Sequence, residues 1–401
     1  MTEIFAVNRL GLSDDPIVDF QHMRTLAGAP YGAASPGEVL YTARAIQQLG
    51  GGREAFIRSW TQRGRQVAAQ AEEAFDHGRR TTARHAYLRA YNYLRAAEFF
   101  FPAGRLAERR ELYGEGVAHF DAATSLMPHP VEKIAIPYEN GITMPGYLFS
   151  VADDGSPRPT VVVCGGGDGS GEEMYLLGGV PDALARGLNV IVFHGPGHRG
   201  LQLEHPGLGF RPDAEKPIGA VVDYALQRQD VDGDRLALYG MSFGGYLAPR
   251  AAAHDRRLRA LVANSPIRDF FGFAMSMAGT QPEEDMAQQL NEASWSSLAM
   301  VENYTLWHHG VSTLEEFVAH IKDFTLQGLE DRIACPTLSV AAEGETAAAT
   351  AQAQQFHDAL RAPKQLVTLT AAGDGADNHC GISNLSRTSS LIYDWIAAQL
   401  K

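Results

Sequence analysis

The sequence has 401 residues, of which 45% are hydrophobic and 20% are charged. This composition is typical of a globular protein with a large buried core and argues against disorder. The formal net charge is −13, and the Lys and Arg residues are interspersed among the acidic ones. We therefore expect no nucleic acid and no membrane as a partner.

The N-terminus lacks the basic and then apolar pattern of a signal peptide, and no apolar run is long enough to cross a bilayer, so we expect a cytoplasmic protein. The three cysteines are odd in number and show no Cys-x-x-Cys spacing; they are Cys164, Cys335 and Cys380. The sequence therefore predicts neither a disulfide framework nor a metal site, and no cofactor is expected.

The first predicted elements are helices. From about residue 36 to residue 113, apolar residues recur at spacings of three and four, which predicts an N-terminal helical domain over residues 1–127. Its segment RTTARHAYLRAYNYLRAAEFFF is aromatic or apolar on more than one face, with Tyr93 among the aromatic residues. Packing against two neighbouring helices and a place in the wall of a ligand cavity both account for this pattern.

In residues 128–401 the pattern of apolar residues changes from that of helices to that of β-strands. Two β-prone segments flank Asn140-Gly141, a pair that predicts a hairpin turn. Six apolar runs then alternate with helical stretches: TVVVCGG, NVIVFHG, RLALYGM, RALVANSP, PTLSVAAE and QLVTLTAA. Such runs indicate parallel strands buried between two helical layers, which is a doubly wound α/β sheet. Between about residues 267 and 331 the alternation lapses, and we interpret this stretch as a helical cap insertion.

A Gly-x-Ser-x-Gly motif lies between a predicted strand and a predicted helix, at Gly240 to Gly244. In a nucleophile elbow the serine, here Ser242, stands on a sharp strand-to-helix turn, and the glycines permit the close approach of the two backbones. A structural turn is the alternative interpretation. The strand before the motif and the helix after it favour catalysis.

A serine hydroxyl needs a histidine to take its proton and a carboxylate to orient that histidine. His379 follows the last predicted strand and a glycine-rich loop, which favours it as the base. The strand PTLSVAAE delivers Glu343 and Glu345 at its carboxyl end, and we favour Glu345 as the acid. Asp374 and Asp377, on the loop of the histidine itself, are alternatives.

A tetrahedral intermediate also needs hydrogen-bond donors for its oxyanion. One is the backbone N–H of Phe243, and the other is expected in the loop GGGDGSGEE, at Gly167 or alternatively at Gly166. Arg268 and Asp269 begin the predicted cap directly after a strand, so we expect them to contact a substrate oxygen. A structural ion pair is the alternative for these two residues.

With these residues in place, the chain resembles the α/β-hydrolase superfamily. More narrowly, it resembles the branch with an N-terminal helical domain, which includes FrsA-like esterases, fungal polyketide-shortening hydrolases and a bacterial hydrolase that cleaves a carbon–carbon bond in nicotine breakdown. The segments that carry the resemblance are LRAYNYLRAAEFF, VVVCGGGDGSGEEMY, FHGPGHRG, YGMSFGGYLAPRAA, CPTLSV and GADNHC.

The resemblance implies the α/β-hydrolase fold, a Ser, Asp, His triad and a homodimer, since this branch is often dimeric. Ser242 and His379 match the triad directly. The acid departs from the pattern, because Glu345 stands where the family usually has aspartate.

Together these observations predict a serine hydrolase that acts through an acyl-enzyme on a bulky aromatic or polyketide-like small molecule, at an ester or a β-diketone-type carbon–carbon bond. We expect aromatic residues of the helical domain and of the cap to enclose the substrate. These are Tyr87, Tyr91, Tyr93, Phe99, Phe100, Phe101, Phe270, Phe271, Phe273 and Trp307. The alternatives are an acyltransferase or cyclase that uses the same acyl-enzyme, and a catalytically silent binding protein, which a broken triad would favour.

Overall fold

The computed structural model describes residues 9–278 and 293–401. Its N-terminal part is helical, with α1 (Pro16–Leu26), α2 (Pro36–Gln48), α3 (Arg53–Asp76), α4 (Arg80–Phe99) and α5 (Leu106–Thr124). Helix α1 begins where the side chain of Asp15 accepts hydrogen bonds from the backbone of Ile17 and Val18, with Pro16 in the first turn. The sequence patterns predicted the region of α2 to α5, whereas α1 lies before it.

The described residues form an eight-stranded sheet with the order β1-β2-β4-β3-β5-β6-β7-β8. Its strands are β1 (Val131–Pro137), β2 (Thr143–Phe149), β3 (Arg158–Cys164), β4 (Asn189–Phe193), β5 (Val231–Met241), β6 (Ala260–Asn264), β7 (Thr337–Ala342) and β8 (Lys364–Leu369). Strand β2 runs antiparallel to β1 and β4, and the other neighbouring strands are parallel. The predicted hairpin joins β1 to β2, with Asn140 at φ 56° and Gly141 at φ 75°.

Helices cover both faces of this sheet, as the apolar strand sequences predict. On β3, Val161 and Val163 face a core that the sheet shares with the N-terminal helices. Val162 and Cys164 face the opposite core. The helices that follow residue 128 are α6 (Gly171–Leu177), α7 (Val180–Leu184), α8 (Arg199–Glu204), α9 (Glu215–Leu226), α10 (Gly244–Ala252), α11 (Phe270–Ala278), α12 (Trp295–Met300), α13 (Leu314–Ile321), α14 (Ala347–Ala359), α15 (Ala371–Asp374) and α16 (Leu385–Gln399). The predicted fold class, a mostly parallel α/β-hydrolase sheet with helices on both faces, is confirmed.

Between β6 and β7 the described chain is helical, with α11, α12, a π-helical turn at Val301–Trp307, and α13. Residues 279–292 of the predicted cap lie outside the described residues. The cap contacts the N-terminal helices, since the hydroxyl of Ser296 donates to the carboxylate of Asp15 over 2.6 Å. Because the N-terminal helices also share a core with the sheet, the division at residue 127 stays a prediction. Among the described helices, none combines the length and the apolar character that a membrane span requires.

Candidate active site

The turn between β5 and α10 places Ser242 at the carboxyl end of the sheet, with a left-handed φ of 59°. The flanking glycines are required by the close approach of neighbouring backbone. A Cβ on Gly240 would collide with the carbonyl oxygen of Gly244, and one on Gly244 would lie 2.5 Å from the carbonyl oxygen of Cys164. The Gly-x-Ser-x-Gly sequence therefore has the backbone geometry of a nucleophile elbow.

Ser242, His379 and Glu345 form a continuous hydrogen-bonded chain. Nε2 of His379 lies 2.8 Å from Oγ of Ser242, and Nδ1 of the same ring lies 2.6 Å from Oε1 of Glu345. Glu345 follows β7 and His379 follows β8, so the ends of three strands supply the three side chains. This arrangement allows the imidazole to accept the serine proton while the carboxylate stabilises the resulting imidazolium.

Two further contacts hold the glutamate carboxylate in place. Oγ of Ser265 donates to Oε1 of Glu345 over 2.5 Å, and the backbone N–H of Ala342 donates to Oε2 over 3.2 Å. The side chain of Glu345 is only 2% exposed, whereas that of His379 is 23% exposed. The acid is thus sequestered behind the histidine, and the ring is open to a ligand.

Backbone strain is concentrated around this chain of side chains. Four non-glycine residues of the described chain have a positive φ, and three of them are Ser242, Ser265 and Cys380, which follows His379 directly. The fourth, Asn140, lies in the β1–β2 hairpin. Such left-handed residues cost energy and are often found at functional sites, where the surrounding fold holds them in place.

The electrostatics of the site favour a charged acid and a charged base. Burial alone would raise the pKa of Glu345, but the hydrogen bond and charge of His379, together with Ser265 and Ala342, lower it below its usual value. Burial alone would lower the pKa of His379, but the neighbouring Cys380 sulfur and the Glu345 carboxylate raise it well above its usual value. The imidazolium that forms when His379 takes a proton is therefore stabilised.

The other predicted acids have different partners in the structure. The carboxylate of Glu343 accepts a hydrogen bond from the backbone of Ala371 over 2.9 Å. Asp374 forms an ion pair with Arg387 over 2.8 Å. Asp377 is buried, and its backbone carbonyl accepts from Gly344 over 2.9 Å. Glu345 is the acid that the structure places against Nδ1 of His379.

The glycine loop after β3 lies beside the serine. A Cβ on Gly166 would be 2.8 Å from Cβ of Ser242, so the backbone of Gly166 directly faces the predicted nucleophile. A Cβ on Gly167 would instead meet the ring of Tyr304 at 2.5 Å. Phe243 follows the serine and opens α10. The assignment of the oxyanion donors to Phe243 and Gly167 stays a prediction, and the contact of Gly166 with Ser242 favours the alternate donor.

Ser242 and His379 open into a cavity of about 770 Å³ that lies between α1, the carboxyl edge of the sheet and the cap. This volume is within the range of small-molecule sites, roughly 300–1,000 Å³. The lining is mostly apolar, and its larger side chains include Phe20, Phe99, Met174, Met241, Ile267, Phe270, Phe273, Met300, Tyr304, Phe317 and Ile321.

Only part of the predicted aromatic wall lines this cavity. Phe99, Phe270 and Phe273 do so. Tyr93 instead packs inside the helical part, where its hydroxyl donates to Glu38 over 2.6 Å and accepts from the backbone of Ser35 over 3.0 Å. Its placement in a substrate cavity was wrong, and packing between helices explains its aromatic neighbourhood.

Arg268 and Asp269 also have structural partners. Nε of Arg268 lies 2.5 Å from the buried carboxylate of Glu330, and Oδ1 of Asp269 accepts from the backbone of Gly272 at the start of α11. Neither residue is among the described lining of the cavity. The ion pair of Arg268 joins the start of the cap to its end, which is the structural alternative that the sequence left open, whereas Asp269 caps the first turn of α11.

Sequence reasoning missed the contribution of α1, which adds Phe20, Gln21 and Arg24 to the cavity lining. The Asp15-Pro16 pair was the available signal, because it is a helix start. Within the described residues, the atoms that come close enough to hold a metal ion belong to Glu345, His379 and Cys380. Glu345 and His379 already bind each other through these atoms.

Comparisons with known proteins found two family models that match the chain. A model of the prolyl oligopeptidase family matches residues 184–401, and a model described as esterase FrsA-like matches residues 47–194. The alpha/beta hydrolase psoB of Aspergillus fumigatus is 30% identical over 401 aligned positions, which cover 91% of this chain and 86% of psoB. The alpha/beta hydrolase ucsC of an Acremonium species is 34% identical over 273 positions, and the match spans 63% of this chain and 54% of ucsC.

A similar overall structure is the 2,6-dihydroxy-pseudo-oxynicotine hydrolase. It superposes with a TM-score of 0.72 over 93% of this chain and 95% of that chain, at 21% sequence identity. This likeness extends over the N-terminal helices as well as the sheet, since the aligned share of this chain is larger than residues 128–401 alone. The two chains therefore have the same fold.

Proposed function

Since this chain belongs to the α/β-hydrolase superfamily and is a hydrolase of that family, we propose that it is a serine hydrolase with Ser242 as nucleophile, His379 as base and Glu345 as acid. The observation that carries the proposal is the hydrogen-bonded chain of these three side chains at the wall of an apolar cavity. Its substrate class would be bulky aromatic or polyketide-like acyl compounds.

The first half-reaction forms an acyl-enzyme. Oγ of Ser242 attacks the acyl carbon, and its proton moves to Nε2 of His379. Backbone N–H groups of Phe243 and of the glycine loop stabilise the oxyanion. When the intermediate collapses, the imidazolium gives its proton to the leaving group, which is an alcohol for an ester and the enol of a ketone for a β-diketone. Water then attacks the acyl carbon, again with His379 as base, and the acid is released.

The cavity favours substrates with a large acyl group over substrates with a small one. Its floor and sides carry flat aromatic side chains, which bury a ring system at little entropic cost, and methionine side chains, which adapt to its shape. Contacts remote from the reacting carbon help to position it for attack. We therefore expect extended aryl esters or aryl 1,3-diketones to exceed p-nitrophenyl acetate in kcat as well as in kcat/KM.

The test has two stages. A fluorophosphonate probe should add one adduct mass, located on Ser242 by peptide mapping, and the Ser242→Ala variant should not be labelled. Product masses from a panel of aryl esters and aryl 1,3-diketones then identify the bond cleaved. An unlabelled wild-type protein would favour a silent binding protein, and products that join the acyl group to a hydroxyl or amine would favour an acyltransferase.

A further inference from the structure

One wall of the cavity carries an ionised carboxylate among apolar side chains. Asp168 follows the glycine loop, and its side chain is 20% exposed. Nη1 of Arg24 donates to Oδ2 of Asp168 over 2.5 Å, and both residues line the cavity. Asp168 is two residues from Gly166, whose backbone faces Ser242, and all three residues line the cavity.

The arginine on this wall is already engaged. Nε and Nη2 of Arg24 donate to the two carboxylate oxygens of Glu173 over 2.8 and 2.6 Å, while Nη1 binds Asp168. Arg95 lies 3.4 Å from Glu173 as well. Arg199, whose charge also acts on Asp168, shares the carboxylate of Glu98 with Arg109, so four guanidinium groups face three carboxylates in this buried cluster. The cluster has no surplus of negative charge, and the guanidinium of Arg24 is committed to protein partners instead of an anionic ligand.

Asp168 is therefore an acceptor. Burial alone would raise its pKa, but the charges of Arg24 and Arg199 hold that pKa well below its usual value. An ionised carboxylate only accepts hydrogen bonds. A ligand group that binds here has to donate one.

A second acceptor lies on the same wall. Gln21, one turn before Arg24 on α1, lines the cavity and is 2% exposed. Its Oε1 has no hydrogen-bond partner among the described residues. Buried polar atoms normally have a partner, so this acceptor requires a donor that the described residues do not supply.

We propose that Gln21 and Asp168 form an acceptor subsite that binds a hydroxyl group of the substrate, an inference that rests on the proposed function. The surplus of guanidinium groups in the surrounding cluster favours a neutral hydroxyl over a protonated amine, because a further cation would lack a counter-charge there. The substrate class is thereby narrowed to aromatic acyl compounds that carry a free hydroxyl.

The experiment uses matched aryl esters in which an ortho, meta or para hydroxyl is replaced by its methyl ether, which cannot donate. Wild type should prefer at least one hydroxyl isomer over its ether in kcat/KM by about tenfold or more, since a hydrogen bond to a charged acceptor contributes about that factor. Gln21→Met and Asp168→Asn should each reduce this preference severalfold. Gln70→Met, an exposed change on α3, is the matched control and should retain it.

Binding separates this proposal from the proposed function. Calorimetry with the Ser242→Ala variant should show tighter binding of the preferred hydroxy compound than of its ether, and the difference should shrink when Gln21→Met is added. The Gln21→Met variant loses an acceptor that has no partner among the described residues, so the thermal midpoint of this variant should not fall. The test therefore stays valid if Asp168→Asn is unstable. An equal affinity for each hydroxy and methoxy pair overturns the subsite, as does a preference for amines over hydroxyls. Absence of turnover with the binding difference intact would overturn only the catalytic proposal.

Discussion

Replacing Glu345 with glutamine tests the acid directly, because the change keeps the shape of the side chain and removes its charge. The carboxylate is 2% exposed and lies 2.6 Å from Nδ1 of His379, so solvent does not screen the interaction. Loss of one partner from such a buried pair costs about 3–5 kcal/mol. If the imidazolium of the transition state loses this amount of stabilisation, kcat/KM falls roughly 10² to 10⁴-fold. The amide can also donate to Nδ1, which favours the tautomer that cannot accept the serine proton.

The measurement is kcat/KM against pH for wild type, Glu345→Gln and the control Glu343→Gln. In the wild type the raised pKa of His379 means that the neutral base forms only at a pH above that raised value, so activity should increase with pH through it. Removing the Glu345 charge lowers the pKa of His379, and the acidic limb should move to lower pH. Glu343 binds the backbone of Ala371 instead, and its variant should keep the wild-type profile. A Glu345→Gln enzyme with more than a tenth of wild-type kcat/KM and an unmoved acidic limb would refute this role.

Three other changes test neighbouring parts of the site. Ser242→Ala should lose turnover by several powers of ten while its circular dichroism and thermal midpoint stay near wild type. Substantial residual activity would contradict the assignment of Ser242 as the nucleophile. Gly166→Ala should lower kcat severely, because the added methyl group meets Cβ of Ser242 at 2.8 Å; a normal rate would mean that the loop moves freely. Ser265→Ala removes the 2.5 Å contact with Glu345 and should lower kcat about tenfold with little change in KM, which steady-state kinetics on one aryl ester would check.

The sheet and the positions of the candidate triad were predictable because their signals are local. Five of the six parallel strands have buried apolar runs, and the sixth, β8, lies at the edge of the sheet but still has the apolar segment LVTL. The chain order of parallel strands then brings residues after β5, β7 and β8 to one edge of the sheet. This rule predicts that Glu345 and His379, 34 residues apart in the chain, lie together beside Ser242.

The N-terminal helix of the cavity was not predictable from periodicity. Helix α1 buries Asp19, Gln21 and His22 along with its apolar residues, so the polar and apolar faces that mark an amphipathic helix are not separated in its sequence. Asp19 accepts from the backbone of Leu12, and Arg24 donates to Asp168 and Glu173, more than 140 positions later in the chain. A polar residue buried by distant partners looks like a surface residue in the sequence.

Contacts between residues far apart in the chain also explain why the predicted ligand contacts of two residues were wrong. Arg268 finds Glu330 62 positions later, and Tyr93 finds Glu38 55 positions earlier. From the sequence, an arginine after a strand and a tyrosine on a many-sided helix are equally compatible with ligand contact and with internal pairing. Only the fold shows which carboxylate comes within hydrogen-bond distance.

The glutamate in the acid position was the one feature that favoured a catalytically silent binding protein. The contacts around Glu345 remove the physical reason for that interpretation. A glutamate has one more rotatable bond than an aspartate, so an unsupported one would hold an imidazole less precisely. Here Ser265 binds Oε1 and the backbone of Ala342 binds Oε2, which fixes both carboxylate oxygens. Ser265 reaches its position through a left-handed φ of 61°, a conformation that costs energy for a serine. The fold thus stabilises a strained serine beside the longer acid, and the two contacts hold the carboxylate against Nδ1 of His379, as the proposed triad requires.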